Sequence, residues 1–273
     1  MRVALLGVRG STPAPGRAFV RYGGHTSCVA VLPDGPGPPA LVLDAGTGVR
    51  DLPALLGPPG AACRPFDGDL VLTHLHWDHV QGLPFCPSLD DPHARVAVHV
   101  PTPPGEDPMA LLARGMSPPH FPIGPDGLLG DWSFHASAGF TAGGLKVIVA
   151  PIGHRGLTHG VRVEDASGAV LAYLPDHSPR TAGAEEASAA EKLAAGADVL
   201  LHDAQFTADQ RSIADTYGHS TIDDAQEFAR RCDVGRLVLT HHAPGRTDAE
   251  LDDLSASLPS VAVAVQGTVI RVR

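Results

Sequence analysis

Six short apolar runs punctuate the chain, and each stops at an Asp or a His followed by a turn-forming residue. They are LVLDAGTG, ending at Asp44; DLVLTHLHWDH, from His74 onward; LKVIVAPIGH, at His154; AVLAYLPDH, at Asp176; DVLLHDAQ, at Asp203; and RLVLTHHAP, at His241. Runs of this length rich in Val and Leu, bounded by Gly, Pro or Asp, predict buried strands. One strand ending in His would mean little. Six such ends imply one shared edge where they converge, which is how sheets build sites.

Three- and four-residue spacing marks the helices. Over residues 221–232, Ile222, Ala225, Phe228, Ala229 and Cys232 recur on one face, and Thr221 with Asp224 has the pattern of a capping box, so a helix starts just after His219. Residues 184–195 are rich in Ala and Glu with Gly196 as a stop, and residues 248–258 align Leu251, Leu254 and Leu258. Both read as surface helices packed on a sheet. Pro/Gly-rich stretches at 33–39, 101–108 and 118–127 predict loops, the last two bracketing a short helix at 109–114. With no short repeat and no linker, residues 1–273 are expected to form a single domain of two similar halves meeting near residue 140.

Composition narrows the partners. Thirty acidic residues against 20 basic ones give a net charge of −10, which argues against a long nucleic-acid partner, because polyanion binding needs clustered cations. No apolar run approaches the roughly 20 residues that span a bilayer. The N-terminal apolar stretch from Val3 to Val8 is too brief for a signal peptide. A cytoplasmic protein without a membrane partner is therefore expected. Cys28, Cys63, Cys86 and Cys232 form no C-x-x-C pair and read as buried thiols in a reducing compartment. Lysine occurs only at Lys146 and Lys192, which argues against Schiff-base chemistry. Histidine is in excess, with 15 copies.

The segment His74-Leu75-His76-Trp77-Asp78-His79 concentrates four metal-type side chains in six residues. At an extended strand end His74 and His76 project to one side, and a following turn brings Asp78 and His79 round to a second point, which suits two adjacent metals. HLHWDH resembles the H-x-H-x-D-H signature of the metallo-β-lactamase-fold hydrolases, in particular the phosphodiesterase branch that includes the tRNA 3′-end endonuclease RNase Z. GVRGSTPAPG with RYGGHTSCV resembles that branch's N-terminal hairpin, and LVLDAGTGVRDL its first motif. HRGLTHGVRV, YLPDH, LLHDAQ with GHST, and VLTHHAP resemble its later motifs in the right order.

The resemblance implies an α/β, four-layer αββα sandwich with metals at one edge. It implies that His74, His76 and His154 hold one metal, that Asp78, His79 and His241 hold the other, and that Asp176 bridges them. Asp78 then counts among the catalytic groups as well as the ligands. His219 would protonate the leaving group or stabilise phosphoryl charge, and Asp203 would orient it, although only one of the adjacent strand residues His202 and Asp203 reaches the site. Asp44 reads as an acceptor that fixes a ligand histidine. His242 competes with His241, and His159 is a further candidate that the family pattern leaves out. His120 and His177 have packing roles unless they line the cleft. His25, where relatives have Asn, and Arg155 and Leu157, where they have Pro and Gly, leave the ligands intact and alter the substrate wall.

A thiolate-free donor set suits two Zn²⁺ first, with Mn²⁺ or Fe²⁺ as alternatives. Two dications and two aspartates leave a charge of about +2, attractive to an anion. The function implied is a dinuclear phosphodiesterase acting on a small or short phosphodiester, such as a cyclic nucleotide or related metabolite, through a metal-bridging hydroxide. The alternative is hydrolysis of a lactone, thioester or β-lactam. An RNA-processing endonuclease ranks lower because no basic, Gly-rich arm is recognisable. A binding module ranks lower because no ligand is missing, and a redox role because no flavin or haem motif accompanies the site. A small anionic substrate is expected, and a homodimer is allowed.

Overall fold

The computed structural model describes residues 1–58 and 63–273. The first sheet holds β1 (Arg2–Gly7), β2 (Cys28–Leu32), β3 (Leu41–Leu43), β4 (Asp67–Val71), β5 (Arg95–Val100) and β6 (Asp131–Ala136). The chain then crosses to the second sheet, which holds β7 (Phe140–Ala142), β8 (Leu145–Pro151), β9 (His159–Glu164), β10 (Val170–Leu174), β11 (Val199–Asp203), β12 (Arg236–Thr240) and β13 (Ala262–Val263). Finally β14 (Val269–Arg271) returns to pair with β1, so the first sheet has the order β14-β1-β2-β3-β4-β5-β6 and the second β13-β12-β11-β10-β9-β8-β7. Both sheets are mixed. β3 to β6 run parallel, as do β10 to β13, while β1, β2 and β9 are antiparallel to their neighbours.

The apolar runs are continuous rather than alternating because both faces of each sheet are covered. On β1, Val3 and Leu5 enter the layer between the sheets while Ala4 and Leu6 enter the outer layer. On β10, Leu171 and Tyr173 face inward, and Val170, Ala172 and Leu174 face the helices of the other outer layer. Three apolar layers therefore separate four layers of structure, the expected αββα sandwich.

The helices are α1 (Pro53–Leu56), α2 (Trp77–Val80), α3 (Pro108–Ala113), α4 (Ala184–Ala194), α5 (Arg211–Tyr217), α6 (Ile222–Arg231) and α7 (Asp248–Ser257). Thr221 caps α6 by accepting the Asp224 backbone N–H, and α6 buries Ile222, Ala225, Phe228 and Ala229 as the spacing predicts. α4 packs Ala190, Leu193 and Ala194 on the same sheet. One cysteine departs from expectation. Cys28, Cys86 and Cys232 are buried, but Cys63 is exposed. No helix among the described residues is long and apolar enough to cross a membrane.

Candidate metal centre

Five of the six predicted strand ends deliver the cluster's histidines and carboxylates, and the sixth, β3, supplies a carboxylate behind them. His74 and His76 follow β4, His154 follows β8, Asp176 follows β10, Asp203 closes β11 and His241 follows β12. The shared edge thus straddles both sheets. His76 sits in extended backbone (φ −66°, ψ 150°) and caps the single turn of α2, which swings Asp78 and His79 inward and leaves Trp77 outside. A helix, rather than an open turn, achieves the reversal expected after His76.

The ligand-type atoms of His74, His76 and His154 lie within 4.8 Å of one another, as do those of Asp78, His79 and His241, and those of His74, His79 and Asp176. The two triads so formed are the two predicted ones, with Asp176 between them. Asp176 Oδ2 is 2.9 Å from His79 Nε2, and Asp176 Oδ1 is 3.2 Å from His241 Nε2 and 3.7 Å from His154 Nε2. Asp78 Oδ2 is 3.2 Å from His241 Nε2 and accepts the Ser11 backbone N–H at 2.7 Å.

Contacts behind the cluster fix which nitrogen each ring presents. Asp44 Oδ2 lies 2.8 Å from His79 Nδ1, and the same carboxylate accepts from the Thr73 backbone N–H, the Thr73 hydroxyl and the Tyr173 hydroxyl. A proton held on Nδ1 leaves the His79 Nε2 lone pair facing inward. His154 likewise directs Nδ1–H to the Gly218 carbonyl at 2.7 Å. Asp44 (φ 61°) and His241 (φ 58°) both occupy the left-handed region, a cost that tertiary contacts must offset. At Gly10 any Cβ would lie 2.4 Å from His241 Nδ1, so only glycine admits this ring.

These residues fit a pair of divalent cations. His74 Nε2 is buried without a hydrogen-bond partner, and His79 Nε2 and Asp176 Oδ2, although 2.9 Å apart, are not aligned for a hydrogen bond; such groups are costly unless something charged satisfies them. His154 Nε2 and His76 Nδ1 face each other at 3.4 Å. Burial, the largest influence, pushes His74, His76 and His154 down toward neutral imidazole, the ligating form. Burial works against charge on His79 too, but Asp176, Asp78 and Asp44 outweigh it and raise its pKa well above the ordinary value. Burial alone would raise Asp176, yet His241, His79 and His74 hold it well below the usual carboxylate range. Such a field favours positive charge.

His219 stands beside the cluster. Gly218 ends α5 in the left-handed conformation (φ 76°), which reverses the chain and sets His219 just ahead of α6. Its Nδ1 is 2.7 Å from Asp203 Oδ2, and its ring lies against those of His154 and His241, with centroids 4.8 and 5.2 Å away. Burial disfavours the charged ring, but Asp203, Asp176 and Asp78 prevail and its pKa is raised to about 9. Of the adjacent pair on β11, Asp203 faces this cleft while His202 packs on His177 and Phe228.

Other histidines fall outside. His242 turns away to the Ala264 carbonyl, and His159 belongs to none of the ligand groupings. His177 does not line the cleft; its ring is fully buried behind Asp203 against His202. His120 lines a neighbouring cavity instead, and His25 bonds Thr47 and borders another one. The cleft over the cluster, about 650 Å³, is bordered by Ser11, Trp77, Arg155, Gln205, Phe206 and Tyr217 among others. Sequence reasoning did not single out Ser11, Trp77, Gln205 or Tyr173. All four lay in segments already flagged, GVRGSTPAPG, HLHWDH, LLHDAQ and YLPDH, but none is of a metal-ligand type, and Tyr173, as a core-facing strand residue, carried no separate signal.

Comparison with known proteins agrees with this architecture. The model of the beta-lactamase superfamily domain matches residues 40–242. Ribonuclease Z of Shouchella clausii (strain KSM-K16) is 46% identical over 79 residues, 28% of this chain and 25% of that protein, so the chain matches about a quarter of this relative's length. Ribonuclease Z of Mycobacterium avium (strain 104) is 31% identical over 278 residues, 89% of this chain and 86% of that protein. Among solved structures, Zn²⁺-bound PqqB from Methylobacterium extorquens shares the fold with a TM-score of 0.72 at 20% identity, covering 99% of this chain and 100% of the other. The chain therefore belongs to the beta-lactamase superfamily, as a metal-dependent hydrolase of the metallo-β-lactamase fold.

Proposed function

We propose that the protein is a phosphodiesterase acting on a small phosphodiester at two divalent ions, zinc in preference to manganese or iron. His74, His76 and His154 would hold one ion, Asp78, His79 and His241 the other, and Asp176 would serve both. When bound, such ions supply a Lewis acid for a phosphoryl oxygen and lower the pKa of water toward ~7. The observation that carries the reading is the His219–Asp203 pair, 2.7 Å apart at the edge of the cluster. With Nδ1 committed to Asp203, the ring offers Nε2–H to a leaving-group or phosphoryl oxygen, and the Asp203 carboxylate favours the protonated ring that can give this proton up. Asp203 positions the ring, Ser11 N–H steadies Asp78, and Gln205 holds the Ser11 hydroxyl at 2.9 Å.

The preference for a small substrate rests on charge. Arg155 is the one Lys or Arg among the described residues bordering the cleft, and the whole chain carries −10. A polyanion requires several phosphate contacts beyond the scissile group. A second reading, cleavage of RNA, is favoured by the ribonuclease Z relatives, of which the Mycobacterium avium protein aligns over 89% of this chain. The test is kcat/KM measured side by side on a chromogenic phosphodiester, a 2′,3′-cyclic nucleotide, precursor tRNA, a lactone and a β-lactam, with chelator-treated protein as control. Highest kcat/KM on a small phosphodiester is expected. Preference for precursor tRNA supports the second reading, and activity confined to lactones or β-lactams overturns both.

A further inference from the structure

A second cavity, about 570 Å³, opens beside the cleft, and Leu75 and Trp77 line both. Its other walls include Phe85, Leu111, Met116, His120 and Phe121, and no lining residue is acidic. Arg114, on its border, is paired with Glu106. The cleft over the cluster, in contrast, has Asp78 and Asp176 in its lining. α2 explains the juxtaposition. It is one turn long, so directing Asp78 and His79 into the cluster forces Trp77 and Val80 toward the second cavity.

The aromatic groups here are unusually open. Trp77 is 77% exposed and Phe85 66% exposed, and Phe85 meets Phe121 edge to face with centroids 5.8 Å apart. Large apolar surface left in water next to a catalytic cleft marks a place where a ligand removes it from solvent. A flat uncharged ring matches these walls in shape and polarity, and aromatic faces stack on such rings with little demand for specific hydrogen bonds. A second anionic group would gain nothing from a border whose cation is already paired.

Building on the phosphodiesterase reading, we propose that this cavity is the subsite for a planar aromatic ring that belongs to the alcohol esterified to the scissile phosphate. Trp77 forms the wall between ring and phosphate, and Phe85 and Phe121 hold the far side. The ring is either a nucleobase or an aryl alcohol, and the shared chemistry is aromatic stacking.

The test uses metal-loaded, full-length protein carrying Trp132→Phe, which leaves Trp77 as the only tryptophan reporter. Its emission is titrated with phenyl phosphate, a nucleoside 5′-monophosphate, the matching nucleoside and inorganic phosphate. The proposal expects at least one ring-bearing phosphate to quench Trp77 and to bind about tenfold or more tightly than inorganic phosphate. Phe85→Ala should erase that advantage; Phe121→Leu, which keeps an apolar wall, should reduce it less. Tighter binding of the nucleotide assigns a nucleobase, and tighter binding of phenyl phosphate assigns an aryl ester. Equal affinity for inorganic phosphate and both ring-bearing phosphates overturns the subsite. If nucleoside and nucleotide quench alike while inorganic phosphate fails to bind, the subsite stands and the phosphodiesterase reading falls. If Phe85→Ala instead converts a dimer to a monomer in sedimentation and leaves ring binding untouched, the cavity is an interface and the proposal is wrong.

Discussion

His219 Nδ1 lies 2.7 Å from Asp203 Oδ2, and Asp203 is itself held by the backbone N–H groups of Gln205, His177 and Ser220 at 2.9, 3.2 and 3.3 Å. A carboxylate pinned by three main-chain donors cannot rotate away from the ring. It therefore fixes both the direction of His219 and the nitrogen that carries the proton toward the cleft.

His219→Ala should retain its metals yet slow turnover by roughly 10²–10⁴, the range for losing a general acid. The deficit should shrink on nitrophenyl esters, whose leaving groups need no proton, and persist on alkyl esters. Asp203→Asn tests the positioning role separately. Asp203 contributes to raising the ring's pKa to about 9, so its removal lowers that value and moves the alkaline fall in rate to lower pH. Rate profiles from pH 6 to 10 on an alkyl phosphodiester check both variants; an unmoved alkaline limb in Asp203→Asn would remove Asp203 from that role.

Asp176→Ala should lower metal content and activity together. Its Oδ2 is 2.9 Å from His79, and its Oδ1 is 3.2 Å from His241 and 3.7 Å from His154, so it approaches histidines of both triads. Removing it also takes away the carboxylate that opposes burial at His74 and leaves His79 with only Asp78 and Asp44. Elemental analysis after gentle purification should give two metals per chain for the parent and fewer for the variant. Two metals and full turnover in Asp176→Ala would reject its assignment.

Gly10→Ala should damage the site from a position that offers no ligand. The added methyl would sit 2.4 Å from His241 Nδ1, and His241 already occupies left-handed backbone, so the ring has little freedom to yield. We expect activity to fall at least tenfold and metal content by up to one ion per chain, with circular dichroism unchanged. Unaltered metal content and kcat would show that the loop, rather than the ring, gives way.

Much of this centre was legible because its residues follow strands whose two faces are both buried. Val and Leu runs such as RLVLT announce a strand, and whatever polar group follows must lie at its end, as His241 does. Choosing Asp203 over His202 was not possible from the run alone, because alternation says only that one of the two faces the site. α2 was hidden, since one turn cannot display a helical period, and so was the outward position of Trp77. β9 was also obscure. Its Arg162 and Glu164 break the apolar run, and only the fold shows Arg162 reaching the Leu193 and Ala195 carbonyls at the end of α4.

The approach of the chain to His219 depends on the start of α6, and its stability should carry a pH signature. Asp224 accepts from the Thr221 backbone N–H and hydroxyl and from Arg211 at 2.8 Å, tying the first turn of α6 to α5 across Gly218 and His219. Burial alone would raise its pKa, but Arg211 and the Thr221 donors outweigh that and lower it. A depressed folded value means the contribution is fully present above the ordinary carboxylate pKa of about 4 and is lost as pH falls through the folded value. Asp224→Asn should therefore cost roughly 0.5–1 kcal/mol at pH 7, kept modest because the pair is partly exposed, or about 1–4 °C in Tm. The Tm gap between parent and variant should narrow as pH drops from 5 toward 3. A gap that stays constant over that interval would assign the loss to the amide's geometry rather than to the carboxylate's charge.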